Sequence, residues 1–278
     1  MTDTVLDRIR IILVEPAGPL NIGSVARVMK NMGLQQLFLV NPQCDYLEED
    51  ARKMAVHGID LLRGAKIVST LPEALTGCQR AMATTGQYRS LPTALENPKS
   101  ALPWLLECPS ALIFGREDTG LTNAELSYAQ RLIRIPSSDI YPSLNLAQAV
   151  AICCYELYQI ILAQEEEEIN NYQLPQTNYP LPITDDQLAI SSQASLEDLE
   201  GYYQQLEALL LKVEYLYPHT APSRMEKFRR LFNRAYPTSA EVSMLRGIFR
   251  QINWALKTYP KNSINDTLDG ARSDSLPG

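Results

Sequence analysis

Histidine is scarce in this chain: His57 and His219 are the only two among 278 residues. Cysteine is hardly more common, and Cys44, Cys78, Cys108, Cys153 and Cys154 are odd in number with no Cys-x-x-Cys spacing. Those absences exclude a zinc cage, a disulfide framework and a dithiol redox motif, so no metal site is expected and the cysteines read as buried or free thiols. Residues 1–10 hold no apolar signal segment, and no later stretch reads as an uninterrupted apolar run of membrane-spanning length. No glycine loop is followed by Gly-Lys-Ser/Thr, which excludes a P-loop. The expectation is a cytoplasmic protein without membrane contact.

A surplus of positive charge is also missing, since the net charge is −7. The charge is unevenly spread, however. Residues 165–218 carry one basic side chain against 11 acidic ones, whereas residues 219–258 carry eight Arg/Lys against Glu226 and Glu241. An anionic chain thus contains a strongly cationic block, and local charge rather than the sum decides binding to phosphate. A hydrophobic share of 45% with 21% charged residues supports a folded core, and the length suits about two domains.

Residues 1–164 alternate short apolar runs at 9–14, 37–40, 66–68, 80–83, 111–114 and 131–135 with helical patterns, which predicts an α/β domain with a mostly parallel sheet. Val25, Val28, Met29 and Met32 follow helical spacing ahead of Gly33, Thr122 to Glu125 has the form of a capping box behind Leu121, and a long helix is expected over 146–168. Residues 165–195, with four glutamates and then Asn, Gln and Pro, read as a linker. Three helices are expected at about 196–215, 223–234 and 240–258, in an extension spanning 196–259, before a polar, disordered tail at 260–278.

Three segments carry more polar chemistry than their connections need. The first, Pro19-x-Asn21-x-Gly23-x-x-x-Arg27, follows the opening strand; Asn21 reads as the N-cap of the next helix, with Arg27 six residues on and facing the same crevice. On its own it reads equally as a strand-to-helix turn with a surface arginine. The second, Gly115-x-Glu117-x-x-Gly120-Leu121, ends an apolar strand in a loop that lets backbone approach a ligand beside a carboxylate. The third, Ser143-Leu144-Asn145-Leu146-Ala147-Gln148-Ala149, brings a Pro-, Ser- and Tyr-bearing loop to the start of an apolar helix that Ser143 or Asn145 would cap.

Together and in this order the three segments resemble the motifs of the SpoU branch of the SPOUT methyltransferases. The cationic block, from Met225 to Arg234 and again from Glu241 to Ile252, looks like the helical C-terminal extension of the TrmJ-type tRNA 2′-O-methyltransferases. The resemblance implies a trefoil knot at the C-terminal end of the sheet, a pocket for S-adenosylmethionine, a homodimer formed through the knot, and a tRNA partner methylated on the ribose of the first nucleotide of the anticodon loop. Two alternatives stay open: ribosomal RNA as the substrate, or an RNA-binding protein of this fold without turnover.

Carried over residue by residue, the cofactor pocket would comprise Thr84, Thr85, Gly86, Gly115, Ile135, Pro142, Ser143 and Leu144. Arg27 matches the family's essential arginine, and Asn21, Glu117, Ser143 and Asn145 match the positions that shape the catalytic site around it. RNA contacts fall to Arg89, Arg224, Lys227, Arg229, Arg230, Arg234, Arg246 and Arg250. After Thr84-Thr85-Gly86 the family often has two alternating arginines; here Gln87 replaces the first and Arg89 remains. A guanidinium with a pKa above about 12 is a poor proton acceptor. Arg27 is therefore expected to grip a phosphate and stabilise developing oxyanion charge rather than act as a base.

Overall fold

The apolar runs in the middle of the sheet are buried on both sides, and that is the pattern of a parallel sheet covered on two faces. The computed structural model describes residues 5–86, 94–171 and 193–258. Its strands are β1 (Ile9–Val14), β2 (Gln36–Val40), β3 (Lys66–Val68), β4 (Arg80–Thr84), β5 (Leu95–Glu96), β6 (Ser110–Phe114) and β7 (Arg131–Ile133). They form one sheet in the order β3-β2-β1-β6-β4-β7-β5, and every pairing is parallel. The two-residue β5 was not anticipated, because so short a run has no periodicity of its own. The sixth apolar run, which forms β7, ends as a strand at Ile133 rather than at residue 135.

Alternation along the strands assigns two cores. Ile9, Ile11, Leu13, Leu37, Leu39, Met82, Leu112 and Phe114 share the first with the helices α1 (Pro19–Asn31), α2 (Glu49–Ala55), α3 (Ile59–Arg63) and α7 (Leu146–Asn171). A Cβ at Gly23 would sit 2.2 Å from the Ala51 carbonyl oxygen, so that glycine lets α1 lie directly against α2. Helix α7 is long and apolar enough to cross a membrane by length and composition, contrary to the sequence expectation. Val150, Cys153, Cys154 and Leu157 bind it into the first core, and Tyr155 on its other side is exposed. The helix expected to end at residue 168 continues to Asn171, so it takes in the four glutamates at 165–168 and the first residues given to the linker.

Ile12, Val14, Phe38, Val40, Ala81, Ala83, Ala111 and Ile113 point the other way, into a second core. Only the short helices α4 (Leu71–Leu75) and α6 (Asn123–Leu126) of the first half reach it, whereas α5 (Pro98–Ala101) adds Ala101 to the first core. The rest comes from the extension: α8 (Leu196–Lys212), α9 (Ala221–Ala235) and α10 (Ser239–Thr258). Leu196, Leu199, Tyr202, Tyr203, Leu206, Leu216, Met225 and Val242 are buried there. Small alanines on this side of the sheet leave room for the bulky tyrosines. Ala194, expected in the linker, is fully buried as well, and its N–H donates to the Pro237 carbonyl at 2.9 Å. Residues 260–278 and most of the linker lie outside the described residues.

Polar contacts fix the extension's register on the sheet. The Leu196 N–H donates to the Cys78 carbonyl at 2.9 Å. Asn233 donates to the Ser127 and Ala129 carbonyls at 3.1 and 3.3 Å and accepts from the Tyr203 hydroxyl at 3.0 Å. Arg229 forms two bonds to Glu200, at 2.6 and 3.0 Å, while its guanidinium lies 4.5 Å from the centres of both the Tyr128 and Tyr203 rings. Arg229, expected on an RNA-facing surface, is thus an internal pin. Its position one turn from Met225 and Asn233 turns it toward the sheet.

Helices α9 and α10 both pack on α8. Phe228, Phe232, Leu245 and Phe249 join the second core, whereas Leu231, Ile248 and Ile252 stay exposed. Arg229→Ala should leave Glu200 nearly buried and unpaired and lower stability by about 3 kcal/mol. Arg224→Ala, at an exposed site, should change it by less than about 0.5 kcal/mol. Chemical unfolding of the two variants checks the contrast.

Candidate functional site

Open parallel sheets bind ligands beyond the carboxyl ends of their strands, where the connecting loops leave a crevice. Here the loops after β4, β6 and β7 enclose a cleft of about 230 Å³. Thr84, Thr85, Gly86, Gly115, Ile135, Pro142, Ser143 and Leu144 all line it, so the eight residues expected around a cofactor meet in one place. Phe114, Leu121, Leu146 and Ala149 add apolar wall, and Glu117 and Asp118 add carboxylates. A Cβ at Gly115 would fall 2.3 Å from the Gly120 carbonyl carbon and the Leu121 nitrogen, so only glycine allows this loop to close on itself. The mixed lining suits a ligand with an aromatic base at one end and positive charge near the carboxylates.

Beside the cleft, side chains of all three motifs join in a relay. Glu117 accepts from the backbone N–H groups of Ala17 and Gly18 at 3.1 and 3.0 Å and from the Asn21 amide at 3.0 Å. Asn21 in turn accepts from Asn145 Nδ2 at 2.9 Å. Asn145 Oδ1 then receives the Ala147 and Gln148 N–H groups at 2.9 and 3.3 Å, which makes Asn145 the cap of α7. Asn21 is not a cap as expected: Pro19 occupies the first helical position after Gly18, which puts Asn21 inside the first turn and frees its side chain for the relay. Ser143 lines the cleft and does not cap the helix.

Burial pushes the Glu117 carboxyl up, but the hydrogen bonds from Ala17, Asn21 and Gly18 outweigh that and hold it below its ordinary value. It is therefore a charged clamp on the start of α1, where the helix dipole also favours an anion. Arg27 does not line the cleft, contrary to expectation. Six residues along a helix turn the side chain by roughly 120° from Asn21, and Arg27 points outward on the same side as exposed Leu20. It makes no hydrogen bond or ion pair among the described residues. Arg89 lies outside the described residues.

Sequence reasoning missed a second lock on the same loop. Arg116 donates to Glu15 at 2.7 Å and to both carboxylate oxygens of Glu125 at 2.9 and 3.0 Å. Glu125 also completes the capping box with Thr122 that the sequence did signal. Glu15 adopts a positive φ of 47°, a backbone state that no local pattern announces. Among the described residues, no group of three His, Cys, Asp or Glu side chains is placed to hold a metal ion. Four of the five free cysteines are inert by burial, which pushes Cys78 up to about 11 and Cys153 up to about 12, and Cys44 is half-buried.

Residues 8–155 match the SpoU rRNA Methylase family, and residues 197–262 match the C-terminal domain of the tRNA methyltransferase TrmJ. The chain belongs to the SpoU methylase family. It is 39% identical over 251 residues to the tRNA (cytidine/uridine-2'-O-)-methyltransferase TrmJ of Klebsiella pneumoniae, an overlap of 89% of this chain and 97% of that protein. Its namesake from Escherichia coli K12 is also 39% identical over 251 residues, covering 89% of this chain and 96% of that one. The crystal structure of TrmJ from Z. mobilis ZM4 superposes with a TM-score of 0.73 at 28% identity, over 88% of this chain and 98% of that one. In this SpoU methylase the two matched segments correspond to the sheet with its cleft and to the helices that cover the sheet's second face.

Glu15, Glu117 and Glu125 all have carboxyls held below the ordinary value of 4.5. For groups lowered in the folded state, the stabilisation is complete above the unfolded value and is lost as the pH falls through the lowered ones. The thermal midpoint should therefore drop on acidification below about pH 4.5. Glu117→Gln, which cannot accept all three of these hydrogen bonds, should lower the midpoint at neutral pH and flatten that acid dependence, as read by differential scanning calorimetry.

Proposed function

We propose that this SpoU methylase transfers the methyl group of S-adenosylmethionine to a ribose 2′-hydroxyl of tRNA, at the first nucleotide of the anticodon loop. The observation that carries this reading is the meeting of three motif-bearing loops around one cleft, tied by the relay from Glu117 through Asn21 to Asn145. The names of relatives that cover nearly the whole chain support tRNA over ribosomal RNA. A cytoplasmic location follows from such a substrate.

When bound, S-adenosylmethionine supplies an electrophilic methyl on a sulfonium. Backbone around Thr84, Gly86 and Leu144 would hold its base and ribose, and Glu117 and Asp118, which line the same cleft, would favour its positive charge. The chain's own work is positioning: the relay keeps the first turn of α1 and the start of α7 at fixed separation, so the target hydroxyl meets a preorganised site. Arg27 grips the neighbouring phosphate with its planar fork and stabilises charge developing on the attacking oxygen.

Arg27 shares an exposed face of α1 with Leu20, and α7 beside it exposes Tyr155. In our reading this face is the homodimer surface through the trefoil knot, which carries Arg27 of each protomer toward the cleft of its partner. Incubation with S-adenosylmethionine and tRNA, followed by nuclease digestion and mass spectrometry, should give one 2′-O-methylated nucleotide at the start of the anticodon loop. A transcript with 2′-deoxyribose at that position should give none. Label confined to ribosomal RNA, or bound RNA without methyl transfer, would replace this reading by one of its alternatives. Arg27→Lys should lower kcat at least tenfold, on the order of 1.4 kcal/mol in the barrier, with cofactor affinity unchanged.

A further inference from the structure

The nine basic side chains of the extension, Lys212 and the eight of the cationic block, are not equivalent. Arg229 is locked inside by Glu200, and Arg230 lies against its own helix through Glu226. What remains separates into exposed residues on α9 and a furrow between α8 and α10. One wall of the furrow is the α8 stripe Gly201, Gln205, Ala208 and Lys212; the other is the α10 stripe Arg246, Arg250, Asn253 and Lys257. Neither stripe contains a carboxylate, although α8 carries Glu197, Asp198, Glu200 and Glu207 at its other positions. The hollow at its outer end has a volume of about 390 Å³ with Phe249 and Trp254 in its lining, and a second of about 190 Å³ continues it past Arg246 and Arg250.

Two features single out this furrow as more than a solvated face. Trp254 is 55% exposed at its lip, a costly place for an indole unless something covers it. The amide oxygens of Gln205 and Asn253 are occupied by Arg246 Nε at 3.2 Å and Lys212 Nζ at 3.3 Å. Those contacts leave the two amide NH₂ groups as uncommitted donors among the described residues. Arg250 and Lys257 likewise have no ion-pair partner among the described residues. Cations for phosphate, an exposed aromatic ring for stacking and free amide donors for a base edge are the elements of a single-stranded nucleic-acid site.

We propose that the furrow between α8 and α10 is an RNA-docking site, in which an unpaired nucleobase stacks on Trp254 while Lys212, Arg246, Arg250 and Lys257 hold the adjoining phosphates. The proposal rests on the RNA substrate argued above and deepens it. It assigns docking to α10 and α8 and takes it away from α9. Charge complementarity chooses this occupant over a second copy of the chain, since four cations lining one furrow would repel another copy of the same furrow.

The test uses the full-length protein and an unmodified tRNA transcript, with binding followed by fluorescence anisotropy at two salt concentrations. Trp254→Ala should raise the Kd for tRNA about tenfold or more, and Trp254→Phe should recover most of that loss. Arg250→Gln with Lys257→Gln should flatten the slope of log affinity against log salt by about 1.4 to 1.8. Arg224→Gln with Lys227→Gln on α9 should change little, and all variants should keep the wild-type thermal midpoint and cofactor affinity. If the Trp254 and Arg250/Lys257 variants bind and methylate tRNA like wild type, the furrow assignment is wrong and the proposed function stands. A shift in oligomeric state for Trp254→Ala with unchanged tRNA affinity would make the furrow a contact between chains and overturn the proposal. Should the wild type transfer no methyl to tRNA, the proposed reaction falls, and the binding data decide the furrow alone.

Discussion

A parallel sheet has to be covered on both faces, and in this chain the second cover is drawn from beyond residue 193. Ile12, Val14, Ala81, Ala83, Ala111 and Ile113 would otherwise meet water along the middle of the sheet. The extension is therefore part of the same folded body as the cleft, even though it looks in sequence like an appended module. Leu196 bonded to Cys78 and Asn233 bonded to Ser127 and Ala129 set how α8 and α9 sit relative to the strands. A surface on α10 then stands at a fixed distance from the cleft, as a long substrate bound at both places requires.

Near the cleft a single carboxylate has a comparable role. Glu117 joins the second motif to the first, and Asn21 passes the connection to Asn145 and so to the start of α7. Each member satisfies another's polar groups, so the loss of one removes hydrogen bonds from its neighbours as well. Arg116, held between Glu15 and Glu125, keeps the same loop from opening on its other side. Two hydrogen-bonded locks on one glycine loop preorganise the wall of the cleft before any ligand arrives.

Arginine has opposite roles in different parts of the chain. Arg229 and Arg116 are consumed by carboxylates and aromatic rings inside the protein, whereas Arg27 and Arg250 are left free at the surface. A count of basic residues cannot separate these cases, because the distinction depends on which side of a helix each guanidinium occupies and on what is packed there. Trp254 escaped notice for a related reason. A lone tryptophan in an apolar helix reads as core until the packing of the helix shows which of its faces is left over.

The sequence by itself determined the class of sheet, the positions of six of the seven strands, the three motifs and the helical extension, since each depends on local periodicity, turn chemistry or a short pattern such as the Thr122 capping box. The eight residues around the cleft came from the family resemblance, and they meet because each lies at or just after the end of a strand, or in the loop ahead of α7. Tertiary structure alone decided that Asn21 is a relay member and Asn145 the cap, that Arg229 faces inward, and that the extension closes the sheet. Several of those outcomes join residues about a hundred or more positions apart, such as Asn21 with Asn145 and Ser127 with Asn233. Contacts of that range leave no trace in local spacing, because they are selected by which surfaces remain uncovered after the strands have paired.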